Sequence, residues 1–171
     1  MVATGYNNGN NEVIITRILE AMNDVTVEKC THPLPAYPLK VRDAAGTTLS
    51  NGEPLICGGY VDGSPDYVTD KCYKLGTHKW REAPPLPSGR RQLAMTSTEA
   101  TTFISGGRHE DQGGYPGLND FHQLHGGSWQ PLTPLPIKLW EHCLVAINST
   151  HLLNIGGLES VVGSFSYRVS K

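Results

Sequence analysis

The chain has 171 residues, of which only 18 % are charged, while 19 glycines and 12 prolines supply close to a fifth of it. That balance favours many short elements separated by turns over long surface helices, an all-β composition. A net charge of −2 offers no cationic excess for nucleic acid or an anionic membrane, no run approaches the roughly 18 apolar residues of a span, and the start MVATGYNNGN has neither region of an export signal.

In chain order, Val13 to Cys30 reads as a pair of strands that end a first unit. Within it, Thr16 to Asn23 carries Ile18, Leu19 and Met22 at helical spacing but is read as strand and loop. From about Leu34 onward one pattern recurs. A double glycine closes an apolar run three times, at Gly58-Gly59, Gly106-Gly107 and Gly156-Gly157, at intervals of 48 and 50 residues. Trp80 and Trp129 stand 49 apart and precede proline-rich stops, Pro84-Pro85-Leu86-Pro87 and Pro134-Leu135-Pro136. Five positions before each Trp is a leucine, Leu75 or Leu124, and seven before is a ring, Tyr73 or His122. Landmarks that keep one phase mark a supersecondary unit copied along the chain. Taking turn residues as punctuation, the middle copy yields four strands, Gln92 to Ser97, Thr101 to Ser105, Asn119 to Leu124 and Ser128 to Gln130, rich in residues that suit a pleated surface. The third copy matches up to Tyr167 and Val169.

These residues resemble the kelch-repeat family: the double glycine, the ring and the Trp with six residues between them, and Arg90 sixteen residues before Gly106. The resemblance implies four-stranded antiparallel β-propeller blades of about 50 residues. The fold class expected is therefore all-β, about three kelch-type blades forming an incomplete or open propeller. Residues 1–32 form a tail with the last strands of a preceding blade, 33–87 and 88–136 are blades, and 137–171 is a partial blade. The copies depart from the pattern where His122 replaces the tyrosine, where Trp140 stands at the arginine position of the third copy, and where Tyr37-Pro38 takes that place in the first. A closed ring needs at least about four blades, so the chain is expected to be a fragment of a longer propeller, the alternative being two or more copies that complete each other through open blade edges.

Glycine pairs at strand ends suit close packing between blades rather than a phosphate cradle, because no GKS/T or GxGxxG context follows them. The tryptophans read as wedges between blades, each with one N–H that needs a partner. Antiparallel order brings the loop entering strand one and the loop leaving strand two to the same end of every blade. That face collects Arg90, Arg91, Gln92, Arg108, His109, Glu110 and Asp111 from the middle copy, Tyr60, Asp62, Asp66 and Tyr67 from the first, and Leu158, Glu159, Lys138 and Trp140 from the third. Loops on a rigid scaffold concentrate recognition, and Arg and Tyr are hot-spot residues. The partner-binding set expected is Arg91, Arg108, His109, Tyr60 and Arg90, with Arg90 also expected to bond blade carbonyls.

The seven histidines come with no nucleophile motif such as GxSxG, and RHED at Arg108 to Asp111 reads as a solvated loop. The expectation is a non-catalytic protein-binding module, an adaptor or scaffold, without cofactor and with protein rather than nucleic acid or membrane as partner. The alternative is a fragment of a kelch-like enzyme, of the copper radical oxidase or sugar epimerase type, drawing ligands from His109, His122, His125 and His142. Cys57 ends one strand and Cys72 begins the next, so the two face each other across a hairpin and are candidates for a disulfide; no cysteine pair has the short spacing of a zinc site. Compartment follows from completeness: cytoplasmic for a complete chain, extracellular for a piece of a disulfide-bonded parent. Asn148-Ser149-Thr150 is a glycosylation sequon in an expected hairpin turn.

Overall fold

A computed structural model describes residues 2–3, 14–15, 34–61, 67–109, 116–159 and 167–169. All regular structure among them is β-strand. Three antiparallel sheets follow one another along the chain. The first has Ala45–Thr48, Pro54–Cys57, Cys72–Leu75 and Trp80–Ala83 in that spatial order. The middle sheet repeats it with Ala94–Ser97, Thr102–Ser105, Phe121–His125 and Ser128–Pro131. The third has Cys143–Ala146, Leu152–Glu159 and Tyr167–Val169, with Leu139–Trp140 also paired to Leu152–Glu159.

Observed strands lie within two residues of the expected ones, and the shifts have causes. Gln92 adopts a positive φ of 56°, which no pleated strand accepts, so the first strand starts at Ala94 instead. Asn119 is held in a turn, its backbone carbonyl accepting from Leu135 N–H at 2.7 Å and its amide donating to Leu135 O at 3.1 Å, so the third strand starts at Phe121. Before the first sheet, Ile14–Ile15 pairs with Val2–Ala3, which lies beside Ala45–Thr48. Of the strand pair expected within Val13 to Cys30, only Ile14–Ile15 falls among the described residues. The segment Thr16 to Asn23 and Cys30 lie outside the described residues.

The core sits between sheets. Ala45, Leu55, Cys57 and Cys72 of the first sheet pack on Met95, Ile104 and Trp129 of the middle one, with Leu86 and Leu93 closing the layer. On the other side of the first sheet Tyr37, Ile56 and Trp80 form a second cluster, in which the Tyr37 ring stands edge-on to Trp80 at 4.9 Å. Burial, and then the neighbouring Tyr73, push the Tyr37 hydroxyl well above its ordinary pKa.

The two tryptophans occupy matching places. Each is 9 % exposed, and each indole N–H reaches a carbonyl 45 residues upstream: Trp80 to Pro35 at 2.9 Å and Trp129 to Pro84 at 3.1 Å. Pro84 opens a proline-rich stop, which thus supplies the acceptor for the next copy's indole, and a Trp→Ala change here would cost on the order of 3–5 kcal/mol.

The double glycines hold successive sheets together. A Cβ on Gly58 would lie 2.6 Å from Arg90 O, and one on Gly59 would lie 2.9 Å from Arg42 O. No side chain fits that approach, and it lets the Gly59 N–H bond Arg90 O at 2.9 Å. The same bond recurs one sheet later from Gly107 N–H to Leu139 O at 2.9 Å.

Candidate functional site

Each copy closes its mouth with a short pairing just beyond the main sheet, joining the residues before strand one to those after strand two. These pairs are Arg42 with Tyr60, Arg91 with Arg108, and Trp140 with Leu158. The residue after the first member turns sharply in all three copies, at Asp43, Gln92 and Glu141, with φ of 59°, 56° and 54°. That turn aims the paired residues along the mouth. It also forms a backbone ladder from sheet to sheet, in which Gln92 N–H bonds Asp43 O at 2.9 Å and Glu141 N–H bonds Gln92 O at 3.0 Å.

Side chains on this rim form one continuous row. The Arg42 guanidinium lies 4.0 Å from the Tyr60 ring centre, and that of Arg91, from the next copy, lies 5.1 Å from the same ring. Arg91 also meets the Asp43 carboxylate at 3.3 Å, then pairs through its backbone with Arg108, whose guanidinium stands 5.9 Å from the Trp140 ring. Tyr67, 45 % exposed, stacks on Tyr60 at 5.7 Å. Guanidinium over an aromatic face is worth on the order of 0.5–1 kcal/mol at exposed sites and keeps the cation's edges oriented.

Of the five residues expected to meet a partner, Tyr60, Arg91 and Arg108 are brought together in this row. His109 adjoins it, its Nδ1 held 2.7 Å from Gly89 O. Arg90 does not belong to the surface. It is 1 % exposed, its guanidinium clamps both Asp120 oxygens at 2.6 and 2.8 Å, and it donates to Gly106 O at 3.2 Å and to Ser88. A bidentate pair between the buried Arg90 and the partly exposed Asp120 fastens the linker to the middle sheet, so its role is the carbonyl bonding expected of it, and its place as a partner contact is withdrawn. Asp62, Asp66, Glu110 and Asp111 lie outside the described residues.

Two rim residues were read differently from sequence. Arg42 was absent from the candidate set, although it stands 49 residues before Arg91. Trp140 is the counterpart of Arg91 rather than of Arg90: Leu139 O, like Arg90 O, receives the glycine N–H, while Trp140 and Arg91 take the mouth pairing.

The histidines are held in separate places. His122 is buried beside Asp120, with 3.8 Å between Nδ1 and a carboxylate oxygen. Desolvation lowers its pKa against the raising effect of Asp120, with Arg90 lowering it further. His142 places Nε2 2.8 Å from Ser105 Oγ, which in turn reaches Asn154 Oδ1 at 3.4 Å. Burial pushes the His142 imidazole down to about 4, because protonation would charge an Nδ1 that is buried without a partner. Ser105 itself is 0 % exposed, so this Ser–His pair has no access to a substrate. Among the described residues no group of three or more His, Cys, Asp or Glu is placed to hold a metal ion.

Cys57 and Cys72 are bonded, their Cα atoms 4.1 Å apart as directly opposed residues of neighbouring strands. Cys143 is a free, exposed thiol. Asn148 caps the hairpin between Cys143–Ala146 and Leu152–Glu159, its Oδ1 accepting from Thr150 and His151 N–H at 2.9 Å.

No family model matches the sequence, and no curated protein matches it. Among solved structures the chain is similar to that of YjhT, with a TM-score of 0.61 at 17 % identity, over 80 % of this chain and 48 % of that one. At that identity the likeness shows the fold alone: an incomplete, all-β, propeller-like row of antiparallel sheets. This chain spans about half the length of that structure.

Proposed function

We propose that this chain is a non-catalytic protein-binding module of the kelch-repeat type, an adaptor or scaffold that presents its mouth-side loops to a protein partner. The observation that carries the reading is the row Arg42, Tyr60, Arg91 and Arg108 on one rim, extended by the exposed Tyr67 and backed by the buried Trp140 of the third copy. Arg and Tyr are among the residues that dominate binding hot spots. Here they sit on a scaffold fixed by the backbone ladder, so little ordering opposes association. The kelch reading draws its support from the sequence repeat: double glycine, ring, Trp and proline-rich stop in constant phase.

The test is site-specific photo-crosslinking in cells. A crosslinker at Tyr67 stands on the proposed face, and one at Gln130 stands on the exposed outer strand Ser128–Pro131. Protein adducts at position 67 and none at 130 support the reading. Adducts at 130 with none at 67 overturn it.

A further inference from the structure

Asn148-Ser149-Thr150 is the only Asn-x-Ser/Thr sequence in the chain, and the binding rim makes no use of it. It lies in the turn that joins Cys143–Ala146 to Leu152–Glu159. Every residue from 147 to 151 is exposed, Ile147 at 63 %. Asn148 Oδ1 accepts from the backbone N–H of Thr150 and of His151, each at 2.9 Å, and from the Thr150 hydroxyl at 3.0 Å. None of these bonds engages Nδ2, the atom that a sugar would take.

Capping a turn explains only part of this arrangement. In the matching turn of the first sheet, Asn51 Oδ1 accepts from the N–H two residues on, that of Glu53, at 3.1 Å, and no hydroxyl stands there. In the middle sheet Thr98 does the same work through its own hydroxyl, which accepts from Ala100 and Thr101 N–H at 3.3 and 3.2 Å. The third copy alone sets a hydroxyl two residues beyond an asparagine, the pattern that makes an exposed turn an acceptor for N-linked sugar.

A second, independent observation bears on the compartment. Cys57 and Cys72 are bonded, 0 % and 1 % exposed, within the core between the first two sheets. A structural disulfide forms and persists where the surroundings are oxidising, as in secreted proteins and the lumen through which they pass. Secreted proteins are also the ones whose surface sequons meet the glycosylating machinery.

We propose that Asn148 carries an N-linked glycan, added as the chain passes through the secretory lumen. The donor is an oligosaccharide held on a lipid pyrophosphate. A bond forms between Asn148 Nδ2 and the anomeric carbon of the first sugar, and the bond from that carbon to the pyrophosphate oxygen breaks. The lipid pyrophosphate leaves with the bonding pair, Nδ2 gives up one proton, and nothing is oxidised or reduced. The register of the third sheet keeps the sugar away from the rim: Ala146 pairs with Leu152 beside the turn, whereas Trp140 pairs with Leu158 at the mouth. The glycan stands next to Ile147, where its hydration offsets an exposed apolar side chain. This modification does not depend on the rim row.

The test is non-reducing peptide mapping of the protein recovered from the cells that make it, with and without peptide-N-glycosidase in water labelled with heavy oxygen. The enzyme should release the mass of the glycan from the chain and leave an aspartate bearing one heavy oxygen at position 148. The same map should return Cys57 and Cys72 as one bonded pair of peptides. Thr150→Ala, which keeps the asparagine, should lose the glycan, and Thr150→Ser should retain it. Because the wild-type map reads the covalent state directly, it decides the matter even where a variant misfolds. An unmodified Asn148 overturns the proposal, whether Cys57 and Cys72 are found bonded or free, and so does a label at position 148 that survives Thr150→Ala.

Discussion

Gln92 donates its backbone N–H to Asp43 O, and the two residues, 49 apart in sequence, both hold the left-handed backbone that L-residues avoid. A non-glycine residue pays about 1–2 kcal/mol for that conformation. Here the strain is offset by a ladder that fixes the position of one sheet against the next, and Gln92 adds a side-chain bond to Glu141 at 2.6 Å. Gln92→Gly relieves the strain and loses that bond, so its stability should stay within about 0.5 kcal/mol of wild type. Gln92→Val, β-branched at positive φ, should lose at least about 1 kcal/mol. Urea denaturation of the two variants checks the contrast; equal stabilities would mean that the turn is not held by this ladder.

The buried His142 sets an acid limit on stability. Its folded pKa of about 4 lies below the ordinary 6.5, so the unfolded chain binds more protons between those values, and stability falls as pH drops from about 6.5 to about 4. The full effect is on the order of 3 kcal/mol. His122 acts in the same sense, since its pKa is lowered too. The counterpart of His142 in the middle copy is Leu93, packed in the apolar layer. His142→Leu should therefore flatten most of the decline in melting temperature between pH 7 and pH 4.5. An unchanged pH profile would assign the acid sensitivity elsewhere.

Cys57 and Cys72, 0 % and 1 % exposed, cross-link adjacent strands inside the core between the first two sheets. With a sequence separation of 15, the bond should contribute about 3 kcal/mol by restricting the unfolded chain. A Cys57→Ala, Cys72→Ala double variant should lose about that amount in a denaturant titration. Its loss should exceed that of Cys143→Ala, whose exposed thiol packs against nothing equivalent.

Much of this architecture was legible because it is copied. The strands of the middle sheet could be placed from the repeat and its turn residues, and the indole N–H of Trp80 and Trp129 had to find acceptors. What escaped has physical reasons. Asp43, Gln92 and Glu141 share a positive φ, yet none is glycine, and of the three only Asp is a type enriched there, so composition carried little signal of the turn. Arg42 was missed because the long opening of the first copy hides its phase, which only the 49-residue interval to Arg91 reveals. Ser105 and His142 stand 37 residues apart in different copies, and only the stacking of sheets brings them together. The Arg90 clamp on Asp120 was half legible: carbonyl bonding was expected, but its bidentate carboxylate partner was not.

The central claim is that the rim row binds a protein and does no chemistry. Replacing Tyr60, Arg91 and Arg108 together with alanine tests it most directly, with capture of the partner crosslinked at position 67 measured beside a thermal melt. Because Arg91 meets Asp43 and Tyr60 across the sheet junction, the triple variant should lose about 1–2 kcal/mol, a shift of roughly 2–8 °C. It should still melt cooperatively, unlike Trp80→Ala. Partner capture should be abolished in that folded variant. Full capture by the triple variant would contradict it, and so would stoichiometric copper with an oxidase activity in the purified wild-type protein.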